Sequence, residues 1–302
     1  MRLSRPRTTV AVAGLAAALA LAAATAAAPA ARAQGLIQPE APAGIAGWTQ
    51  SGSYNESALT AGEGVATVTP ASGSPSELYR GAASVPLAEL VQGWTHIGDP
   101  DSASGYVIDA YQGSSSGNKK MFLLTTPTGA THQYVHALVT GELYNNSFDA
   151  IAPGTQWMVA GEWGTMTHFQ VYPTPGLNGA TSPSGGTLNL AGSINLNTPV
   201  NDIQGCDFVT ATELICASDD SSDSIFANPF PLLEVTLAAP LSGGDVTGTV
   251  TDLGSIPQSS ICSGTFEPEG VDYDPAAGVL RVEITQPGVC EVATTVYEYR
   301  QG

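Results

Sequence analysis

One short pattern, repeated along the chain, constrains the fold of this protein more than any other feature of its sequence. Residues 99–109 and 272–282 both read Asp-x-Asp-x-x-x-Gly followed by an apolar run, and looser copies of the same unit start at Phe148 and Cys206. Each copy joins two β-prone runs through a tight polar turn, which is typical of a β-hairpin. A third β-prone run follows each hairpin, at residues 121–126, 167–172, 232–237 and 295–299.

The interval between the copies indicates how the hairpins are assembled. Their second strands begin 51, 57 and 65 residues apart, near Gly105, Gln156, Glu213 and Gly278. A strand-rich unit repeated at roughly 40 to 60 residues is typical of the blades of a β-propeller. Residues 54–79 provide a degenerate fifth copy, and the run at residues 294–300 is placed to close the ring with an N-terminal strand. We predict an all-β fold, a β-propeller of four or five blades, with a β-sandwich as the alternative.

The clearest copy resembles a known group of proteins. Residues 269–282, Glu-Gly-Val-Asp-Tyr-Asp-Pro-Ala-Ala-Gly-Val-Leu-Arg-Val, look like the start of a blade in several families of secreted bacterial β-propeller proteins. The resemblance covers residues 93–300 and concerns the fold, so it implies no single activity. Some secreted propellers, such as lactonases of the gluconolactonase type, use a glutamate at a blade start as a metal ligand. The resemblance extends that precedent to Glu269 alone.

The first 33 residues have the composition of an export signal. Arg2, Arg5 and Arg7 precede an apolar stretch rich in Ala and Leu, and residues 31–33 (Ala-Arg-Ala) have the small-x-small form of a cleavage site. A membrane anchor is the alternative, and the cleavage pattern argues against it. We therefore predict a signal peptide over residues 1–33 and a secreted, extracellular protein.

The charge balance of the remaining chain restricts its partners. All 27 acidic residues, but only five of the nine Lys and Arg, lie after residue 33. A strongly acidic surface repels nucleic acid and anionic lipid, so we expect no nucleic-acid partner. No later segment of the sequence is long and apolar enough to span a membrane. We predict a flexible lead-in over residues 34–48, one domain over residues 49–302, and a monomer whose partner is a small molecule, a glycan or a protein.

Four cysteines occur in the sequence, and all of them lie in its second half. In an exported chain an even number of cysteines predicts disulfide bonds. Proximity favours pairing Cys206 with Cys216 and Cys262 with Cys290, although four cysteines allow three pairings. A zinc site is the alternative, but the sequence has no Cys-x-x-Cys spacing and no His near these positions.

Four candidate ligand-binding residues, Glu269, Asp207, Asn146 and His96, lie where blades begin, because the first strand of each blade lines the central channel of a propeller. A fifth candidate, Glu162, lies in the cluster Gly161-Glu162-Trp163-Gly164, which predicts either a carboxylate beside an aromatic platform for a sugar or a blade turn with a buried Trp. Such a ring could hold Ca²⁺ or another divalent cation, the only cofactor that the sequence suggests. It could also offer two carboxylates for glycoside or ester hydrolysis. A third interpretation is that these polar side chains tie neighbouring blades together.

Several other residues invite a metal hypothesis, and their spacing argues against it. Asp99, Asp101, Asp272 and Asp274 lack the ligand positions of an EF-hand, so we predict that they form Asp-rich β-turns. His132 and His136 are four residues apart, but the surrounding sequence is β-prone rather than helical.

Strong catalytic motifs are missing from the sequence, including the Gly-x-Ser-x-Gly elbow of α/β-hydrolases. This favours a non-enzymatic secreted propeller that binds an unknown ligand. The alternative is a secreted hydrolase or lactonase-like enzyme that uses carboxylates at the channel mouth.

Overall fold

The computed structural model describes residues 44–70 and 72–302, so the predicted signal peptide and most of the predicted lead-in lie outside the described residues. In that part, no helix is long and apolar enough to cross a lipid bilayer. The helical segments are α1 (Ala58–Ala61), α2 (Leu87–Leu90) and the 3₁₀ turns Ala82–Ser84 and Gly288–Cys290. The strands, in chain order, are β1 (Trp48–Ser57), β2 (Gly64–Val68), β3 (Ser76–Arg80), β4 (His96–Ile97), β5 (Asp101–Ala103), β6 (Tyr106–Gln112), β7 (Lys119–Thr125), β8 (Thr131–Ala137), β9 (Phe148–Ile151), β10 (Trp157–Gly161), β11 (Met166–Pro173), β12 (Gly186–Thr187), β13 (Gly192–Val200), β14 (Ile203–Thr210), β15 (Glu213–Ser218), β16 (Pro231–Leu237), β17 (Val246–Ser255), β18 (Glu267–Asp274), β19 (Val279–Thr285) and β20 (Ala293–Gln301).

The strands form five blades, four large and one small. The first blade is the hairpin β2–β3, and the second contains β4 to β8 with β12 added at its outer edge. The third blade contains β9, β10, β11 and β13, and the fourth contains β14 to β17. The fifth contains β18, β19 and β20, and β1 is its outermost strand. Within the large blades, consecutive strands pair in antiparallel fashion, as the predicted hairpins require.

The innermost strands of the five blades close into a ring. In cyclic order, β2 contacts β5, β5 contacts β9, β9 contacts β14, β14 contacts β18, and β18 contacts β2. The strand β1 pairs with β20 from Trp48 opposite Gln301 to Ser57 opposite Ala293, so the N-terminal strand completes the last blade. The predicted β-propeller and its predicted closure are confirmed. The alternative of a β-sandwich is wrong, because the blades surround one axis instead of forming two stacked faces.

Apolar side chains fill the space between blades, and each central strand serves two neighbours. In β15, Leu214 and Cys216 belong to the apolar cluster shared with the third blade. The alternate residues Ile215 and Ala217 belong to the cluster shared with the fifth blade. Successive side chains of a strand point to opposite faces, and both faces of a blade are covered here. These strands are therefore continuous apolar runs.

Both predicted disulfides are present, and all four cysteines are bonded. Cys206 on β14 lies directly opposite Cys216 on β15 and is bonded to it. Cys262 is bonded to Cys290 in the loop that precedes β20. Disulfide bonds of this kind persist in oxidising compartments, which is consistent with an extracellular protein.

Small residues form the narrow waist of the ring, one for each blade. A Cβ added at Gly270 would lie 2.6 Å from the Cα of Gly64, and one added at Gly205 would lie 2.8 Å from the Cα of Gly270. These distances are too short for any side chain, so the inner strands can approach only where glycine or a similarly small residue stands. The five waist residues are Gly64, Gly98, Ser147, Gly205 and Gly270.

Asp99 lies at this waist and joins two blades. The residue is fully buried. One carboxyl oxygen accepts a hydrogen bond from the N–H of Val65 at 3.0 Å, and the other accepts one from the N–H of Val271 at 3.1 Å. Without Asp99, the buried N–H groups of Val65 and Val271 would have no hydrogen-bond acceptor. Asp99 therefore completes the backbone hydrogen bonding where β2 and β18 meet.

Other aspartates of the inner strands repeat this role between adjacent blades. Each of three carboxylates accepts a hydrogen bond from a backbone N–H of the next blade: Asp101 from Ile151, Asp207 from Tyr273 and Asp272 from Thr67. The prediction of Asp-rich β-turns is therefore wrong for Asp99, Asp101 and Asp272, because inner-strand positions aim these side chains at the neighbouring strand. It is correct for Asp274, whose carboxylate accepts from the N–H groups of Ala276 and Ala277 in the turn.

We expect Asp99→Ala to lower the free energy of unfolding by on the order of 3 kcal/mol, because an unsatisfied buried amide costs about 1–3 kcal/mol and two amides lose their acceptor. Urea denaturation followed by circular dichroism measures the change. Asp223→Ala, at an exposed loop position, is the control and should change stability by less than about 0.5 kcal/mol. Equal stability of the two variants would show that Asp99 is not a structural tie.

Candidate functional site

A cavity of about 730 Å³ opens at the end of the ring axis where the inner strands begin. Its lining draws on every blade, because a propeller brings the start of each inner strand to the same rim. Four glutamates line it, together with one histidine and two aromatic residues, and no Lys or Arg of the described chain does so. These residues are Glu63, Glu267, Glu269, Glu291, His96, Tyr144 and Trp163, accompanied by the polar side chains of Gln112, Asn145 and Gln204.

Glu269 is the most deeply placed of the lining glutamates. It is only 5% exposed, and within the described part of the chain no group donates a hydrogen bond to its carboxylate. The register of β18 against β19 shifts between Pro268 and Val271, and such a bulge changes the direction of the side chains within it. Burial raises the pKa of Glu269 well above its usual range, and the nearby charges of Glu267 and Glu63 raise it further.

Glu63 and His96 form a pair at the same mouth, on the first and second blades, and the first blade is the direct neighbour of the blade that carries Glu269. The Oε2 of Glu63 lies 3.3 Å from the Nε2 of His96, which is within the range of an ion pair. Burial raises the pKa of Glu63 to about 8, with a further contribution from Glu267, and burial lowers the pKa of His96. Near neutral pH the two groups are therefore a protonated carboxyl facing a neutral imidazole, and not an ion pair.

Two more carboxyl groups add to the negative potential of this rim. Burial raises the pKa of Glu267, and the charge of Glu291 adds to the effect. Burial also raises the pKa of Asp219 to about 7, with contributions from Glu267 and Asp202. The pKa values of the carboxyl groups at this end of the axis are raised together. No cationic side chain of the described residues lines the cavity to stabilise their charged forms.

Hydrogen bonds between the backbone of Trp163 and the side chain of Asn145 hold the indole ring of Trp163 at the rim. The Nδ2 of Asn145 donates to the carbonyl of Trp163 at 2.7 Å, and the N–H of Trp163 donates to the Oδ1 of Asn145 at 2.8 Å. The side chain of Trp163 nevertheless remains 48% exposed. A large ring kept in contact with solvent beside a cavity is typical of a surface that meets a ligand.

The structure separates the five residues that the sequence grouped together. Glu269 and His96 line the cavity. Asn146 is fully buried, and its Nδ2 donates to the carbonyl of Met121. Glu162 is buried beside Lys120, with its carboxylate 2.6 Å from the ammonium group. Asp207 lies toward the other end of the axis and lines a separate cavity of about 240 Å³.

Sequence reasoning missed Glu63, although a signal was present. Glu-Gly-Val occurs at residues 63–65 and again at residues 269–271. In both copies the valine N–H donates to Asp99, so Glu63 and Glu269 occupy equivalent positions on the first and fifth blades. A comparison of residues 63–65 in the degenerate copy with residues 269–271 in the clearest copy identifies Glu63 from the sequence.

The residues at this mouth do not form a metal centre. Within residues 44–70 and 72–302, no group of three or more His, Cys, Asp or Glu side chains is arranged to hold a metal ion. Calcium needs six to eight oxygen ligands at about 2.3–2.6 Å around one point. The four glutamates of the mouth come from two adjacent blades, the first and the fifth.

The five-bladed ring and its acidic mouth define the class of the protein as a β-propeller. No protein-family model and no curated protein matches the sequence. Among solved structures, a gluconolactonase from Xanthomonas campestris is similar, with 10% identity, a TM-score of 0.36, and alignment over 67% of this chain and 57% of that one. The WD40 repeats of RRP9 align at 8% identity with a TM-score of 0.35, over 74% of this chain and 57% of that one. The chain thus spans little more than half the length of these structures.

Proposed function

We propose that this protein is a secreted binding protein that takes up a small ligand in the mouth lined by Glu269. The observation that carries the proposal is a buried carboxyl group without a hydrogen-bond donor that faces a cavity of about 730 Å³. Ligand sites typically measure about 300–1,000 Å³. The carboxyl group of Glu269 opens to the cavity and receives no hydrogen bond from the described residues, so a ligand in the cavity can supply its partner.

Two of the other candidate residues support the mouth without facing it. The carboxylate of Glu162 accepts a hydrogen bond from the N–H of Leu143 at 2.8 Å while it pairs with Lys120. This contact holds the segment that carries Tyr144 at the rim, and Asn146 anchors the next part of the same segment. We assign to Glu162 and Asn146 a positioning role in ligand binding. Asp207, toward the other end of the axis, ties the fourth blade to the fifth.

One observation favours a second candidate, a secreted hydrolase. Glu63 retains a proton at neutral pH, and a carboxyl group with a pKa near 8 beside an imidazole has the properties of a general acid. In that case Glu63 would donate a proton to a leaving group, and Glu267 or Glu269 would act as the base or nucleophile. The two candidates predict different effects of substitution at Glu63.

We expect Glu269→Gln to weaken ligand binding about tenfold or more, because it removes the ionisable carboxyl group that faces the ligand. The measurement is a thermal-shift screen of the secreted protein against neutral sugars, lactones, amino acids and amines, followed by titration calorimetry of the compound that stabilises it most. Glu234→Gln is the matched control, since it removes the same charge from β16, away from the cavity.

Unchanged affinity in Glu269→Gln would contradict the proposed binding site. The hydrolase candidate is tested with the same compound by following its turnover. If Glu63→Gln abolishes turnover while binding persists, the protein is an enzyme. If no compound is turned over by the unmodified protein, the binding function stands alone.

A further inference from the structure

We infer that the mouth recognises a linear aliphatic polyamine, a flexible chain that carries two or more ammonium groups separated by methylene spacers. The inference rests on the proposed function and names its class of ligand. It follows from three features of the cavity: the placement of its carboxyl groups, the composition of its walls and the absence of a hydrogen bond from the described residues to Glu269.

The charge of the lining requires a ligand that brings its own cations. Four glutamates line the cavity, and no Lys or Arg of the described residues does so. Glu269 is 5% exposed and receives no hydrogen bond from the described chain. A buried carboxylate needs a cation or several donors to be stable in its charged form. An anionic ligand would be repelled by the carboxyl groups that are ionised, whereas a cationic ligand can stabilise the charged form of each of them.

The placement of the carboxyl groups favours an extended polycation over a metal ion. Glu63 precedes β2 of the first blade, Glu267 and Glu269 belong to β18 of the fifth, and Glu291 follows the 3₁₀ turn at residues 288–290. They do not converge on one point as metal ligands must. A flexible chain with ammonium groups at intervals can meet such separated carboxylates one after another, each through a charge-assisted hydrogen bond.

The walls between the carboxyl groups suit methylene spacers. Leu59 and Val292 line the cavity, and both are exposed to solvent in the protein alone. Trp163 and Tyr144 add aromatic faces at the rim. Burying apolar side chains under methylene groups is favourable, because it removes apolar surface from water. An ammonium group within about 6 Å of an aromatic ring is attracted to the face of that ring.

Proton release should accompany binding. The groups that act on Glu269 are Glu267, Glu63, Glu283 and Asp219, and all of them are acidic. Glu63 lies beside the neutral His96, and the charge of Glu267 acts on it as well. Burial raises the pKa of both Glu63 and Glu269, so an arriving ammonium group displaces protons from them. Affinity should therefore rise with pH, by up to about tenfold per pH unit for each proton released below pH 8.

Titration calorimetry of the full secreted protein with spermidine tests the inference. We expect one saturable site, an affinity at least about tenfold lower in Glu269→Gln and in Glu63→Gln, and an affinity within about twofold of the unmodified value in Glu234→Gln. Repeating the titration at pH 7 in buffers of different ionisation enthalpy measures proton release. Triethylene glycol serves as a neutral chain of similar length, and Mg²⁺ serves as a compact cation at matched ionic strength.

The outcomes separate this inference from the proposed function. If Mg²⁺ competes as well as spermidine does, or if Glu234→Gln weakens binding as much as Glu269→Gln, the attraction is diffuse and the inference fails. If spermidine does not bind but a neutral sugar binds in a manner that depends on Glu269, the polyamine inference fails and the binding function stands. If neither compound class binds, both fail. Saturable binding with the expected variant pattern and proton release supports both.

Discussion

Replacing Gly270 with alanine is expected to destabilise the protein by on the order of 3 kcal/mol or more, or to prevent folding. The added Cβ would lie 2.5 Å from the Oδ1 of Asp99, 2.6 Å from the Cα of Gly64 and 2.7 Å from the amide nitrogen of Val65. Two of these three atoms belong to the backbone of the next blade, so no side-chain rotation relieves the overlap. Overpacking of a well-packed interior costs about 1–3 kcal/mol even where side chains can move.

Gly179→Ala is the matched control for this substitution. No atom lies within 4 Å of a Cβ built at Gly179. The same methyl group should therefore change the free energy of unfolding there by less than about 1 kcal/mol. Urea denaturation of both variants, followed by circular dichroism, provides the comparison. If Gly270→Ala is as stable as Gly179→Ala, the waist of the ring is wider than the structure indicates.

The free energy of unfolding is expected to fall as the pH rises from about 4.5 to about 8. Burial raises the pKa of Glu63 from 4.5 to about 8 and that of Asp101 from 3.8 to about 7. Burial also raises the pKa of Asp99, Asp149 and Glu283 well above their usual range. At a pH between the pKa of such a group in the unfolded chain and its higher pKa in the folded chain, the unfolded chain has released a proton that the folded chain retains. Each such group therefore lowers stability by about 1.4 kcal/mol per pH unit.

Two groups oppose this trend at the acidic end. Burial lowers the pKa of His96 below 6.5, so the contribution of His96 to stability increases as the pH rises toward 6.5. The pKa of Glu142 is lowered by its hydrogen bond with His136, against the effect of burial, so its contribution is present above pH 4.5 and is lost as the pH falls through its folded-state pKa. Stability should consequently be greatest near pH 4 to 5. Most proteins lose stability through acid-sensitive carboxylates, so the predicted direction is the reverse of the common one.

Urea denaturation at pH 5, 6, 7 and 8 measures this dependence. Glu63→Gln should flatten the slope, because the variant no longer exchanges that proton. Glu234→Gln should leave the slope unchanged, since it alters a carboxylate on β16 outside the ring axis. A stability that increases from pH 5 to pH 8 would contradict the prediction and would mean that the buried carboxyl groups are ionised and compensated.

The hairpins of the large blades could be predicted because they depend on neighbours in the sequence. The predicted third runs correspond to β7, β11, β16 and β20. Turn residues and alternating β-prone runs act over a few positions, so local chemistry suffices. The pairing of Cys206 with Cys216 is equally local, since the hairpin places the two directly opposite each other. Counting the copies predicted four or five blades, and the structure has five.

The roles of the aspartates could not be predicted in the same way. Asp99 accepts hydrogen bonds from residues 34 and 172 positions away in the chain. Nothing within a few residues of Asp99 distinguishes such a tie from the turn-forming carboxylate of Asp274. The difference depends on which backbone lies across the axis, and that is decided by the packing of one blade against another.

The local sequence by itself determined most strands, the hairpin turns and the repeated blade unit, because each depends on residues close together in the chain; it favoured the observed disulfide pairs by proximity. Tertiary structure alone decided which polar residues meet. It joined Glu63, His96 and Glu269 at one mouth, although they come from three different blades, and it sent Asp207 to the other end of the axis. The physical reason is that the ring converts sequence separations of tens to hundreds of residues into contacts, while burial there sets the protonation of the carboxyl groups it brings together.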